Sequence, residues 1–207
     1  MSVYPFWRKL LAPVGKWLFR LRIEGTENIP KEGPVILCSN HRSVLDPFFM
    51  AVAVPRTIRF MAKSELFADH GRFARWLLYA FGAFPVRRDK GDAESVRTAV
   101  HILQDGGVVG IFPQGRCVFD NSPFQPKAGA VLVAAKAQAP ILPACIFFKG
   151  RIRPFKRVVV RFGEVLSIQA LDLADGSLRH VRGAAGRLAE KINGLLERNC
   201  AFALYYQ

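Results

Sequence analysis

Short, almost wholly apolar runs alternate with stretches of helical period along most of this chain, and few architectures accept that pattern. "GPVILCS", "TIRFMA", "GAFPVRR", "VVGIFP", "PILPACIFF" and "RVVVRFG" read as strands. Strands apolar along their whole length are expected where helices cover both faces of a sheet, as in parallel sheets. Between them, "VLDPFFMAVAV" (with Pro47 near its start), "RFARWLLYAF", "GDAESVRTAVHILQDGG", "AGAVLVAAKAQA" and residues 177–199 read as helices. Asp92 can cap the third of these, Gly106 and Gly107 stop it, and Val96, Val100 and Leu103 mark its inner face. In the last helix Val181, Ala185, Leu188, Ile192, Leu195 and Leu196 point inward. The expected fold is α/β: one domain, residues 22–207, with a largely parallel central sheet flanked by helices. A chain of 207 residues is long enough for one substantial core.

The N-terminal segment has a different pattern. Residues 3–22 carry five basic residues and no acid. At 100° per residue, Phe6, Trp7, Leu10, Leu11, Val14, Trp17, Leu18 and Leu21 fall on one half of a helix. Arg8, Lys9, Lys16, Arg20 and Arg22 fall on the other, and Phe19 does not fit. Pro13 is expected to kink the segment or start a second helix. Basic on one side and Trp/Phe/Leu on the other suits a helix lying in a membrane interface, so residues 1–21 are read as a membrane-associating segment. The alternative is an ordinary amphipathic helix packed on the core. A span needs roughly 20 apolar residues, and the longest uncharged run, 137–148, has twelve.

The balance of 30 Lys+Arg against 16 Asp+Glu gives a net charge of +14. Such an excess implies an anionic partner: nucleic acid, anionic lipid or a phosphorylated substrate. No basic-aromatic recognition motif supports nucleic acid. Cys38, Cys117, Cys145 and Cys200 form no CxxC and no zinc spacing with histidine, so they read as buried reduced thiols and no metal is expected.

Three polar clusters fall where strands end, the edge at which parallel sheets bind ligands. "NHRSVLDP" sets His41 five residues before Asp46. A neutral imidazole accepts a proton near pH 7, and a carboxylate on its other nitrogen fixes the tautomer. Alone, the pair is equally compatible with a surface histidine and a helix-capping aspartate. "GAFPVRRDKGD" places Arg87 and Arg88 after a strand, where guanidinium groups could grip phosphate oxygens or simply be solvated. "GIFPQGRC" ends a strand in Gln114-Gly115-Arg116, with Gly115 allowing close backbone approach and Arg116 a second phosphate contact. GxGxxG after a strand, the Walker loop and the GxSxG elbow are all missing.

Together the pieces resemble one family. "NHRSVLD" is similar to the NHxxxxD motif of the 1-acyl-sn-glycerol-3-phosphate acyltransferases. "IEGTENIPKEGPVIL", "KSEL", "GAFPVRR", "FPQGR", "KAGA" and "PILPACI" follow the same order over residues 22–165. The resemblance implies a catalytic His41 with Asp46 as partner. It implies substrate-phosphate binding by Lys63, Arg88 and Arg116, with Arg87, Gln114 and Gly115 in the same site. It also implies an N-terminal anchor on the cytoplasmic side of the cell membrane. The expected reaction is direct acyl transfer from acyl-CoA or acyl carrier protein to a lysophospholipid, foremost lysophosphatidic acid, with no cofactor and no covalent intermediate. Another lysolipid, glycerol 3-phosphate, or an inactive surface scaffold are the alternatives. One departure stands out: the family's Phe-Pro-Glu-Gly-Thr-Arg is here Phe112-Pro113-Gln114-Gly115-Arg116-Cys117. With one residue deleted, Arg116 matches the family arginine; without a deletion, Cys117 takes its place.

Overall fold

The computed structural model describes residues 4–69, 71–80, 82–86, 93–119, 123–173 and 180–204. The strands are β1 (Arg22–Glu24) and, from the six apolar runs, β2 (Val35–Ser39), β3 (Ile58–Lys63), β4 (Phe84–Val86), β5 (Val108–Ile111), β6 (Ile141–Phe147) and β7 (Val159–Phe162). They form one sheet in the order β1-β7-β6-β2-β5-β3-β4. The five strands from β6 to β4 are mutually parallel. β7 turns back antiparallel on β6, and β1 pairs parallel with β7. The expected largely parallel α/β sheet is therefore present. β1 was not expected from its polar sequence and exists by pairing Arg22–Glu24 with residues 159–161.

The helices are α1 (Tyr4–Leu18), α2 (Asp46–Ala53), α3 (Ser64–Ala68), α4 (Gly71–Ala80), α5 (Ala93–Gln104), α6 (Gly129–Ala137) and α7 (Val181–Leu204). The short α3 was not anticipated. Two inner faces are rotated from expectation. In α5 the buried residues are Ser95, Ala99 and Leu103, with Val96 and Val100 half-buried. In α7 Ala184 is buried and Ala185 half-buried. Gly106, at φ +73°, ends α5 as expected. Asp92 and residues 177–179 lie outside the described residues.

Two cores cover the two faces of the sheet. Phe49, Met50 and Ala53 of α2, with Phe19 and Phe67, pack on Val35, Leu37, Ile58, Phe60 and Val108. Residues of α5, α6 and α7 pack on Ile36, Cys38, Val109, Ile111 and Ile141. β2 and β5 are neighbours, yet the chain leaves β2 for α2 on one face and leaves β5 for α6 on the other. The two exits open a crevice at the carboxyl edge, the switch point where α/β sheets bind ligands.

α1 is a single helix running through Pro13. Gly15 lets it approach α2: a Cβ there would lie 2.6 Å from the Phe48 ring. Phe19, the residue that fitted neither half of the helix, is buried with its ring edge-on to Phe49 at 5.1 Å. Leu10, Val14 and Trp17 face outward, each more than half exposed. Trp17 meets the half-exposed Phe155 of the β6–β7 loop edge-on at 5.1 Å. The Phe155 amide donates to Leu18 O, and the Val158 amide to Phe19 O. No helix among the described residues is long and apolar enough to cross a membrane.

Candidate active site

The motif after β2 is held by its own polar side chains. The Asn40 amide donates through Nδ2 to Ile146 O (3.0 Å), and its Oδ1 accepts from the Ile146 amide (2.8 Å). Arg42 is buried; its Nη1 donates to Phe148 O at 3.0 Å, and its guanidinium lies over the Phe148 ring. Ser43 Oγ accepts from the Leu45 amide, closing the turn that starts α2. These contacts fix the backbone on both sides of His41.

Asp46, the first residue of α2, is fully buried. Its Oδ2 accepts from His41 Nδ1 (2.8 Å) and from the amides of Arg42 (2.5 Å) and Ser43 (2.8 Å). Backbone amides can only donate, so this oxygen is an acceptor, and His41 carries its proton on Nδ1. The lone pair of Nε2 then faces outward from the pair. The imidazole is stacked on Phe112, with centroids 4.3 Å apart at 21°, and Phe112 is in turn stacked on Phe60. The spacing in "NHRSVLDP" thus becomes a histidine held by a buried carboxylate at the switch point, with its second nitrogen able to accept a proton.

The loop after β5 wraps this base. Gln114 Oε1 accepts from the His41 amide (3.0 Å), and the Val118 amide donates to His41 O (2.7 Å). Gly115 turns the loop at φ +73°. Cys117 arrives with Sγ 3.3 Å from His41 Nε2, while Arg116 is exposed. Cys38 and Cys145 are buried, as expected, but Cys117 is only half-buried. Burial, and then the charge of Asp46, push the Cys117 thiol up from its ordinary value.

Beside Phe112 lies a cavity of about 280 Å³, walled by Met61, Val86, Val96, Ile111 and Pro113, with Lys63, Lys127 and Gly115 on its lining. Lys63 Nζ also pairs with Glu65 Oε1 at 2.7 Å. The hydrogen bond from Lys63, then the Glu65 backbone amide, hold the Glu65 carboxyl down to about 2. Of the residues expected in the site, His41, Asp46, Lys63, Gln114 and Gly115 converge on this corner. Arg87 and Arg88 lie outside the described residues. Two contributors were not singled out from the sequence: Phe112 and Lys127, the latter being the lysine of "KAGA"; Cys117 was considered only as the residue that could stand in the place of the family arginine. No group of three or more His, Cys, Asp or Glu side chains among the described residues could hold a metal ion.

An oriented histidine beside a cationic, largely apolar cavity at an α/β switch point is an arrangement able to deprotonate a hydroxyl or thiol of a partly apolar, anionic molecule. The chain belongs to the Acyltransferase family, whose model matches residues 20–147. It is 30% identical over 146 residues to the 1-acyl-sn-glycerol-3-phosphate acyltransferase of Bacillus subtilis, covering 64% of this chain and 70% of that protein. It is 35% identical over 133 residues to the human 1-acyl-sn-glycerol-3-phosphate acyltransferase alpha, covering 62% of this chain and 46% of that protein. Its fold matches the crystal structure of the 1-acyl-sn-glycerophosphate (LPA) acyltransferase PlsC from Thermotoga maritima. The TM-score is 0.72 at 24% identity, covering 95% of this chain and 81% of that one.

Proposed function

We propose that the protein transfers a fatty acyl group from a thioester, acyl-CoA or acyl carrier protein, to the free hydroxyl of lysophosphatidic acid, giving phosphatidic acid. The observation that carries this reading is the His41–Asp46 pair, with Nδ1 donating to a buried carboxylate and Nε2 left as the proton acceptor. Nε2 takes the proton of the acceptor hydroxyl as its oxygen attacks the acyl carbonyl. Asp46 stabilises the imidazolium that forms, which returns its proton to the departing thiolate. Lys63 and Lys127 supply positive charge beside the base for the acceptor phosphate. Arg87, Arg88 and Arg116 join them in this reading on the strength of the sequence. No resident cofactor is required.

The same reading puts the enzyme on an anionic membrane surface, as a peripheral protein of the cytoplasmic face. Leu10, Val14, Trp17 and Phe155 form an outward apolar patch. Exposed Lys16, Arg20, Arg151, Arg153 and Arg157 lie on the same two segments, α1 with its following turn and the β6–β7 loop. An apolar wedge framed by cations suits anionic headgroups, each basic residue near the surface contributing about 1 kcal/mol.

The test is incubation of the protein with lysophosphatidic acid and a panel of acyl-CoA and acyl carrier protein donors, with products read by mass spectrometry. Phosphatidic acid should form, and His41→Ala should abolish it without shifting the melting transition. Wild-type rates in His41→Ala would sink the assignment of the base.

A further inference from the structure

Three successive amides in the turn after β2, those of His41, Arg42 and Ser43, are each taken by a side-chain oxygen. Arg42 and Ser43 donate to Asp46 Oδ2. The His41 amide donates instead to Gln114 Oε1, at 3.0 Å, in the loop after β5. A backbone N–H can only donate, so the atom facing it is the side-chain carbonyl oxygen and not the NH2 group. The pair falls in register. Gln114 lies three residues past Ile111 and His41 three past Cys38, and Cys38–Ile111 is the last pair of the parallel β2–β5 ladder. Asn40 is matched to Ile146 on the other flank, so two side-chain amides carry the ladders beyond the end of β2 on both sides.

The backbone around Gln114 is itself fixed. The Gly115 amide donates to Phe112 O and the Lys127 amide to Pro113 O, both at 2.9 Å, and Gly115 turns the chain at φ +73°. Further along the loop the Val118 amide donates to His41 O. One loop thus holds the histidine by its amide and by its carbonyl. The family resemblance counts Gln114 among the substrate-binding residues, but its position points elsewhere. Pro113 and Gly115, its two neighbours, line the cavity beside Phe112, and Gln114 is not part of that lining.

We infer that Gln114 is a positioning residue for acyl transfer: its side-chain oxygen fixes the main chain of His41, and through it the direction of Nε2, without touching substrate. The inference rests on reading His41 as the base. Asp46 holds the ring at Nδ1, but where the ring starts from is set by the bonds of the histidine's own peptide. Removing Gln114 frees one of those bonds, and a misplacement of about 1 Å at a reacting atom can cost about a hundredfold in rate. The departure in "FPQGRC" then has a physical reading. The family motif has Glu where this chain has Gln114. The two side chains have the same length and offer an acceptor oxygen at the same reach, so the His41 amide is satisfied by either. Its donor is an uncharged backbone group, so the position uses the oxygen and not a negative charge. The loss of the acid therefore leaves the base in place.

The experiment compares wild type with Gln114→Glu, Gln114→Ala and Gln114→Met, the last filling the same space without an acceptor. Each is assayed for acylation of lysophosphatidic acid by palmitoyl-CoA, for its melting transition, and for hydrogen exchange of the His41 amide by NMR on isotope-labelled protein. Gln114→Ala and Gln114→Met should lower kcat by about ten- to a hundredfold and leave KM for lysophosphatidic acid within about twofold of wild type. Their His41 amide should exchange about tenfold faster, while the Arg42 and Ser43 amides keep their protection. Gln114→Glu should return kcat to within about threefold of wild type and restore the protection of His41. Three results would overturn the role: wild-type kcat in both variants that lack the oxygen, a rise in KM with kcat unchanged, or a Gln114→Glu enzyme as slow as Gln114→Ala although its His41 amide is protected. If wild type acylates no lysophosphatidic acid, the function proposed above fails. The exchange rates then decide by themselves, and a His41 amide equally protected in all four proteins would overturn the inference.

Discussion

Asn40 and Ile146 exchange two hydrogen bonds, a side-chain amide matching the amide and carbonyl of one backbone residue. The contact extends the β2–β6 ladder one step past Ser39, where β2 ends as a strand. It sets the direction in which the chain leaves the sheet, and so the position of His41 one residue later. Asn40→Ala leaves a buried N–H and C=O of Ile146 facing a void. The expected loss is about 2–3 kcal/mol in denaturant unfolding. kcat should fall with it, because the base is displaced while its chemistry is intact. Asn40→Ala with wild-type stability would show that the pairing is dispensable.

Gly110 governs the packing behind the base. A Cβ there would lie 2.5 Å from the Phe60 ring and 2.8 Å from Ile58 Cγ2. Phe60 is stacked on Phe112 and Phe112 on His41, so displacement of the first ring is passed to the imidazole. Gly110→Ala is expected to cost about 1–3 kcal/mol and to lower kcat more than it raises KM. Equal stability with unchanged kcat would mean that the ring stack does not position His41.

What could be read from the sequence divides along physical lines. β2 was legible because all five of its residues are buried, so no polar alternation interrupts the run. β1 was not, because Arg22-Ile23-Glu24 is a strand only through the backbone of β7, which one-dimensional periodicity cannot show. α3 has five residues, too few for a helical period to emerge. In the site, the spacing of His41 and Asp46 was readable because a turn of this length brings the Arg42 and Ser43 amides onto the carboxylate. The contact of Cys117 with His41 was not. Which residue of Gly115-Arg116-Cys117 meets the base depends on the positive φ at Gly115 and the bond from Val118 to His41 O, both properties of the folded loop.

Lys63 is shared between the cavity and Glu65. Glu65→Gln removes the competing carboxylate and leaves the ammonium to the acceptor phosphate. KM for lysophosphatidic acid should fall by about two- to five-fold, the scale of an exposed ion pair. The stability signature has a definite sign. The Glu65 carboxyl lies near 2 in the fold against an ordinary 4.5, so its contribution is present above 4.5 and is lost as pH falls towards about 2. Wild type should therefore melt slightly above Glu65→Gln at pH 7, and the two should converge in strong acid. An unchanged KM would remove Lys63 from the acceptor site.

Trp17 and Phe155 come from segments more than a hundred residues apart, yet they meet as exposed rings and are joined by the bond from the Phe155 amide to Leu18 O. Aromatic rings left in water at the tip of such a contact add little to folding stability, and their area becomes useful against a surface that docks on them, in the proposed reading a lipid one. Trp17→Asp and Phe155→Asp should each reduce co-sedimentation with vesicles containing phosphatidylglycerol by about tenfold or more, the loss expected for one large apolar side chain. The melting transition should stay in place, because neither ring is in the core. If only Trp17→Asp weakens binding, the β6–β7 loop does not reach the membrane and α1 docks alone. If neither does, the outward face of α1 serves some other surface. High salt should weaken wild type and variants alike, since Lys16, Arg20 and Arg153 are exposed in all of them.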